Sequence, residues 1–224
     1  MSRLAVRTAA ALAVILPLAF IARSEASDPA DLPAPEYAGT AASVGEETAV
    51  LAGGCFWGIE AVFEHVQGVV DVVSGYAGGS KPDARYERVS SGRTGHAESV
   101  RITFDPSQVS YGDLLRVFFS VAHDPTQLNR QGPDIGPQYR SVIFFANDDQ
   151  AKVAHAYIAQ LERDEVFDRA IVTDVSPLDE FFDAEAYHQD YMEHHPNQPY
   201  IVIHDRPKVA RLRAQFPELY RDRK

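Results

Sequence analysis

The 224-residue chain has one cysteine, one tryptophan and two methionines. A single thiol excludes an internal disulfide and any metal site built on several thiolates. Positive charge is also scarce: 21 Lys and Arg stand against 32 Asp and Glu, for a net charge of −11. Phosphate recognition needs clustered cations, so the composition argues against a nucleic-acid partner. There is no internal repeat and no second domain boundary. The apolar run "AALAVILPLAFIA" (Ala10 to Ala22) is shorter than the roughly 20 residues of a spanning helix and is interrupted by Pro17, so no stable membrane span is expected in a mature chain. The whole chain is 45% hydrophobic and 24% charged, enough to bury a sizeable core, and its acidity says nothing against a neutral substrate.

The first segment reads as an address. Arg3 and Arg7 precede the apolar run, and "SEA" (Ser24 to Ala26) places small residues for a cut after Ala26. Residues 1–26 are therefore expected to be a cleaved export signal that sends the protein to the periplasm, with an uncleaved membrane anchor as the alternative. No cysteine lies near the cut, so a lipid anchor is not supported. Residues 27–47 are rich in Pro, Ala, Gly and acid, without periodicity, and are expected to be a flexible lead-in. The catalytic domain is expected over 48–224.

"TAVLAG" (Thr48 to Gly53) predicts a strand, followed by a helix over Phe56 to His65 with Ile59, Val62 and Phe63 at helical spacing. Strands are also predicted over Val69 to Gly79, Glu98 to Phe104, Tyr139 to Ala146 and Ala170 to Val175. Ser110 with Asp113 predicts a capping box, and Asn147 caps a long helix with Ala151, Ala154, Ile158 and Leu161 as its stripe. Short helical pieces are expected up to Tyr191, and a final helix from Pro207. Strands and helices interleave without strict alternation, which predicts an α+β two-layer sandwich: a mixed sheet with packed helices and a ferredoxin-like core. "DPTQLNRQGPDIGPQY" (Asp124 to Tyr139) is too polar for core and long for a bare connection, as functional loops often are.

"GGCFWGIE" (Gly53 to Glu60) holds the one thiol between glycines and two large rings. A free cysteine in such company can simply be core. The alternative is a nucleophile, because Cys55 sits where a strand passes into a helix. First-turn N–H groups and the helix dipole there would lower its pKa toward the reactive thiolate. An exported chain that keeps an unpaired thiol also carries an oxidation liability, which suggests that the thiol is used.

"GCFWGIE", "GYAGG", "YERVSSGRTGHAESV", "DPTQLNRQGPDIGPQYRS" and "AEAYHQDY", in this order, resemble the A-type peptide-methionine sulfoxide reductases from about Thr48 to about Tyr220. The resemblance implies attack of Cys55 on the sulfoxide sulfur, with Phe56 and Trp57 seating the methyl group. It makes Glu98 the acid, Tyr86 and Tyr139 hydroxyl donors to the sulfoxide oxygen, and Asp134 an organiser of the pocket. To donate at neutral pH, Glu98 must be buried with a raised pKa. The product is methionine and a sulfenic acid on Cys55.

Many relatives resolve that sulfenic acid with further cysteines, in the tail or directly after the Cys-Phe-Trp motif. Here Gly58 follows Trp57 and the tail has no thiol. Regeneration must come from an external thiol, such as dithiothreitol or a thioredoxin-like protein, with no bound cofactor. The implied substrates are free and protein-bound methionine sulfoxide, taken as the S epimer; a monomer is expected. A metal site at His188, Glu193, His194 and His195 is conceivable, but no HExxH is present and helix-end polarity accounts for these residues. His96 and His123 read as structural. A thiol hydrolase using Cys55 with a histidine, and a non-catalytic thioether-binding module, are the rival readings.

Overall fold

The computed structural model describes residues 32–39 and 45–223; the expected signal segment lies outside them. The elements, in order, are β1 (Glu47–Gly53), α1 (Phe56–Glu64), β2 (Val69–Ala77), α2 (Tyr86–Val89), β3 (Ala97–Phe104) and α3 (Tyr111–Val117). A two-stranded hairpin, β4 (Arg130–Gln131) and β5 (Asp134–Ile135), precedes β6 (Ser141–Phe145) and α4 (Asp148–Arg163). Then come β7 (Asp174–Pro177), β8 (Phe181–Asp183), α5 (Tyr191–His194) and α6 (Arg206–Gln215). The main sheet runs β7-β6-β1-β3-β2-β8. β6 and β7 are parallel and the other neighbours antiparallel, so this is a mixed α+β fold.

Local signals account for most boundaries. The Asp113 N–H donates to Ser110 Oγ (3.0 Å) while the Ser110 N–H donates to the Asp113 carboxylate (3.2 Å), closing the capping box of α3. Asn147 Oδ1 accepts from the Gln150 N–H at 2.9 Å and starts α4. The main core lies between the sheet and the helices, with Leu51, Ile59, Phe63, Val100, Ile102 and Leu115 among its wholly buried members. A smaller cluster of Val50, Ala52, Ala97, Val142 and Phe144 fills the opposite face under Leu178 and Phe181. Strand β1 is thus apolar on both faces, the mark of a central strand.

Four expectations need correction. The buried stripe of α4 is Val153, Ala154, Tyr157 and Leu161, with Ala151 and Ile158 only half-buried. The strand expected over Ala170 to Val175 lies further on, at β7, because the Val172 N–H is already committed to the Pro125 carbonyl (2.8 Å). β8 forms where helical pieces were expected. It closes on β2 at Gly75, where a Cβ would lie 2.3 Å from the Phe181 ring. Part of the expected flexible lead-in is packed: Leu32 is buried, Tyr37 Oη donates to Asp149 (2.6 Å), and Tyr157 Oη donates to the Pro33 carbonyl (2.9 Å).

Candidate active site

The end of β1 builds the site. β1 pairs with β3 through Leu51↔Val100, so two residues further along Gly53 faces Glu98. The chain then turns at Gly54, whose φ of +105° suits glycine. A Cβ on Gly54 would also sit 2.6 Å from Gln131 of the long loop, so that loop lies directly against the turn. Cys55 follows as the N-cap of α1, and Phe56 opens the helix. The first helical N–H, that of Phe56, donates to Glu98 Oε2 at 3.2 Å. A carboxyl that is only 2% exposed is thereby fixed beside the thiol.

Burial pushes the Glu98 carboxyl up to about 8; the Phe56 N–H opposes this and Asp134 adds to it. The acid form therefore predominates at neutral pH. The expectation of a lowered thiol pKa fails. Burial drives the Cys55 thiol well above its usual value, Glu98 and Asp205 push the same way, and the Trp57 amide offsets only part of it. Magnitudes explain the outcome: a helix terminus is worth about 0.3–1 kcal/mol, less than one pKa unit, whereas full burial shifts a group by up to about 3–5 units.

The remaining expected residues converge on the same place. Tyr86 opens α2, Tyr139 ends the turn Pro137–Tyr139, and Asp134 sits in β5. Burial raises both tyrosines, and the charges of Glu98 and Cys55 act further on each, so both rings share the space around thiol and carboxyl. Phe56 is wholly buried, 6.4 Å from the Trp57 ring. Trp57 is half-buried and donates from Nε1 to His188 Nδ1 at 3.1 Å.

Several neighbours of the site were given no role there by the sequence. Tyr191 lies flat on the Trp57 indole, with centroids 3.7 Å apart and planes 6° apart. Tyr200 meets Trp57 edge-on and donates to the Asp134 carboxylate. His188, weighed above only as a metal ligand, lies 4.9 Å from the Phe56 ring and 4.5 Å from the Tyr86 ring. Glu185 accepts from Tyr76 Oη (2.8 Å) and from the Tyr86 N–H (3.0 Å), tying α2 to the sheet. Asp205, wholly buried, pairs with Lys208 at 3.3 Å behind Gly58. Glu185, His188 and Tyr191 fall within the motif "AEAYHQDY", which marked the segment without giving these residues a role, whereas Tyr200 and Asp205 had no signal beyond their residue type. Among the described residues no three His, Cys, Asp or Glu side chains gather as a metal set. His96 Nε2 is 3.0 Å from the Ser80 carbonyl, and His123 is held between Phe118 and Ser141.

An acid kept protonated beside a buried thiol, under an aromatic wall, suits reduction of a small polar centre that carries an apolar group. The family described as peptide methionine sulfoxide reductase matches residues 47–220. The chain is 57% identical over 182 residues to peptide methionine sulfoxide reductase MsrA 2 of Mesorhizobium japonicum, covering 81% of this chain and 93% of that one. A protein of the same name from Synechocystis is 56% identical, with 78% and 81% covered. Among solved structures, methionine sulfoxide reductase A of Corynebacterium diphtheriae is 37% identical with a TM-score of 0.59, covering 70% of this chain and 78% of that one. Reduced Mxr1 of Saccharomyces cerevisiae is 33% identical with a TM-score of 0.61, covering 68% and 87%. The chain belongs to the peptide methionine sulfoxide reductase family and returns methionine sulfoxide to methionine.

Proposed function

We propose that Cys55 is the nucleophile and Glu98 the general acid, with Phe56 and Trp57 as the seat for the sulfoxide methyl. The observation that carries this reading is the Glu98 carboxyl, 2% exposed, bonded to the N–H next to the thiol, and raised to about 8. The reaction starts from thiol and carboxylic acid. Glu98 gives its proton to the sulfoxide oxygen as Cys55 Sγ bonds to the sulfoxide sulfur, and the carboxylate so formed takes the thiol proton. The hydroxyl then passes from the substrate sulfur to Cys55 Sγ as both the S–O bond and the newly formed S–S bond break, releasing methionine, so one thiol is oxidised to a sulfenic acid as one sulfoxide is reduced. Charge separation is avoided at every stage, as a site this dry requires. Tyr86 and Tyr139 donate hydrogen bonds to the oxygen, and Asp134 holds the pocket through Tyr200.

The substrate is the S epimer, free or within proteins. With no second cysteine, an outside thiol attacks the sulfenic acid to give a mixed disulfide, and a second thiol releases Cys55. We read residues 1–26 as an export signal, which makes the donor a thioredoxin-like protein working outside the cytosol on a monomeric enzyme. The antiparallel order β6-β1-β3-β2, with α1 and α3 as connections, supports a ferredoxin-like core. The reading is tested with both sulfoxide epimers, dithiothreitol and the Cys55→Ser variant. Turnover of the S epimer by the parent and none by the variant is expected. Appreciable turnover by the variant would sink the mechanism.

A further inference from the structure

The end of the chain is bound to the aromatic side of the site. The Gln67 N–H donates to the Leu219 carbonyl (2.6 Å) and the Arg221 N–H to the His65 carbonyl (2.8 Å), so the tail runs along the end of α1. Arg223 then reaches three carboxylates. Its Nη1 lies 2.9 Å from Glu64 and 2.6 Å from Glu193, and its Nη2 donates to Asp190. Glu64 belongs to α1, which begins at the nucleophile, whereas Asp190 and Glu193 flank Tyr191. Asp190 also has a φ of +53°, a backbone state that a non-glycine residue holds only when its surroundings impose it.

We propose that Arg223 is a positioning residue: by clasping Glu64, Asp190 and Glu193 it fixes the α5 turn so that Tyr191 stacks on Trp57. Four-residue α5 cannot hold its own shape, since a single turn does not repay its nucleation cost. Glu64 is only 11% exposed, whereas Asp190 and Glu193 are 37% and 59% exposed, and without the guanidinium no cation would draw the Asp190 and Glu193 carboxylates together against the end of α1. Burial, reinforced by Asp190 and Glu60, already pushes Glu64 up to about 9 against the pull of Arg223. Beside the cluster, Arg221 Nε donates to the Glu64 carbonyl and His194 Nδ1 lies 3.0 Å from the Asp190 carbonyl. The consequence for catalysis rests on Trp57 being a wall of the methyl seat.

Trp57 is the one tryptophan, so its emission reports the stack directly. In full-length Arg223→Ala, emission should move to longer wavelength as water reaches the indole. The sulfoxide concentration that half-saturates single-turnover reduction should rise by up to about tenfold, the size of a lost aromatic contact. The maximal rate should stay within about twofold, the split expected of lost binding. Glu193→Gln should move the emission in the same direction by less, and Arg223→Lys should recover most of the parental spectrum. Parental emission in a folded Arg223→Ala protein, with an unchanged urea midpoint, overturns the proposal. Shifted emission with unchanged saturation upholds the clasp and refutes Trp57 as the seat.

Discussion

Replacing Glu98 by Gln probes the acid without disturbing its setting. The amide keeps the length of the side chain, and its oxygen can still accept from the Phe56 N–H now 3.2 Å away, but it carries no acidic proton. With the parental group raised to about 8, about nine in ten molecules hold the acid form at pH 7, and about one in ten at pH 9. The parent's single-turnover rate should therefore be level at neutral pH and fall about tenfold per unit above pH 8. The Gln variant should be slower by about 10²–10⁴-fold and lack that fall, with sulfoxide binding unchanged. Stability gives a second reading with a definite sign. A carboxyl raised from 4.5 to about 8 in the folded state contributes fully below pH 4.5 and loses its contribution as pH rises through 8. The parental melting temperature should thus drop between pH 5 and 9, and the drop should shrink in the variant. A variant rate within a few fold of the parent, with the alkaline fall retained, would refute the assignment.

Two further outcomes follow from packing. Gly58→Ala would set a Cβ 2.1 Å from Asp205 Oδ1 and 2.7 Å from Lys208 Nζ; crowding of this kind costs about 1–3 kcal/mol, so the urea midpoint should fall. A parental midpoint would mean that the buried pair can move aside. Burial lowers His123 from 6.5 to about 4 despite its bond to the Phe118 carbonyl, so its contribution to stability is full above 6.5 and is lost as pH falls through 4. Its ring signals in an NMR titration should stay neutral to pH 5, and protonation near 6.5 would contradict that burial.

Much of the site was legible because its chemistry is local. Cys55, Phe56 and Trp57 are consecutive, and Glu98 stands out through the resemblance of its motif, at the start of a strand whose alternation is plain in the sequence; the register of β1 and β3 then brings it to the thiol. What stayed hidden depends on tertiary contacts. Tyr191, Tyr200 and His188 lie more than 130 residues beyond Trp57, in segments with no periodicity, and only the fold brings their rings to the indole. β8 escaped notice because three residues carry too little pattern to declare a strand, and its place is set by the absence of a side chain at Gly75. Leu32 and Tyr37 looked like scattered residues in a Pro-rich stretch, yet Tyr37 meets Asp149 of α4 and Leu32 is buried in the core. The thiol pKa was misjudged for a different reason. The helix terminus is visible in the sequence, but the burial and the carboxylates that outweigh it are not.

The most direct test of the central claim is a single turnover without reductant. Pure reduced protein is mixed with excess methionine S-sulfoxide, released methionine is counted, and the protein is then treated with dimedone and digested. The one-thiol mechanism gives one methionine per protein and one dimedone adduct, on Cys55. More than one methionine per protein without added thiol, or an adduct absent from Cys55, would contradict it.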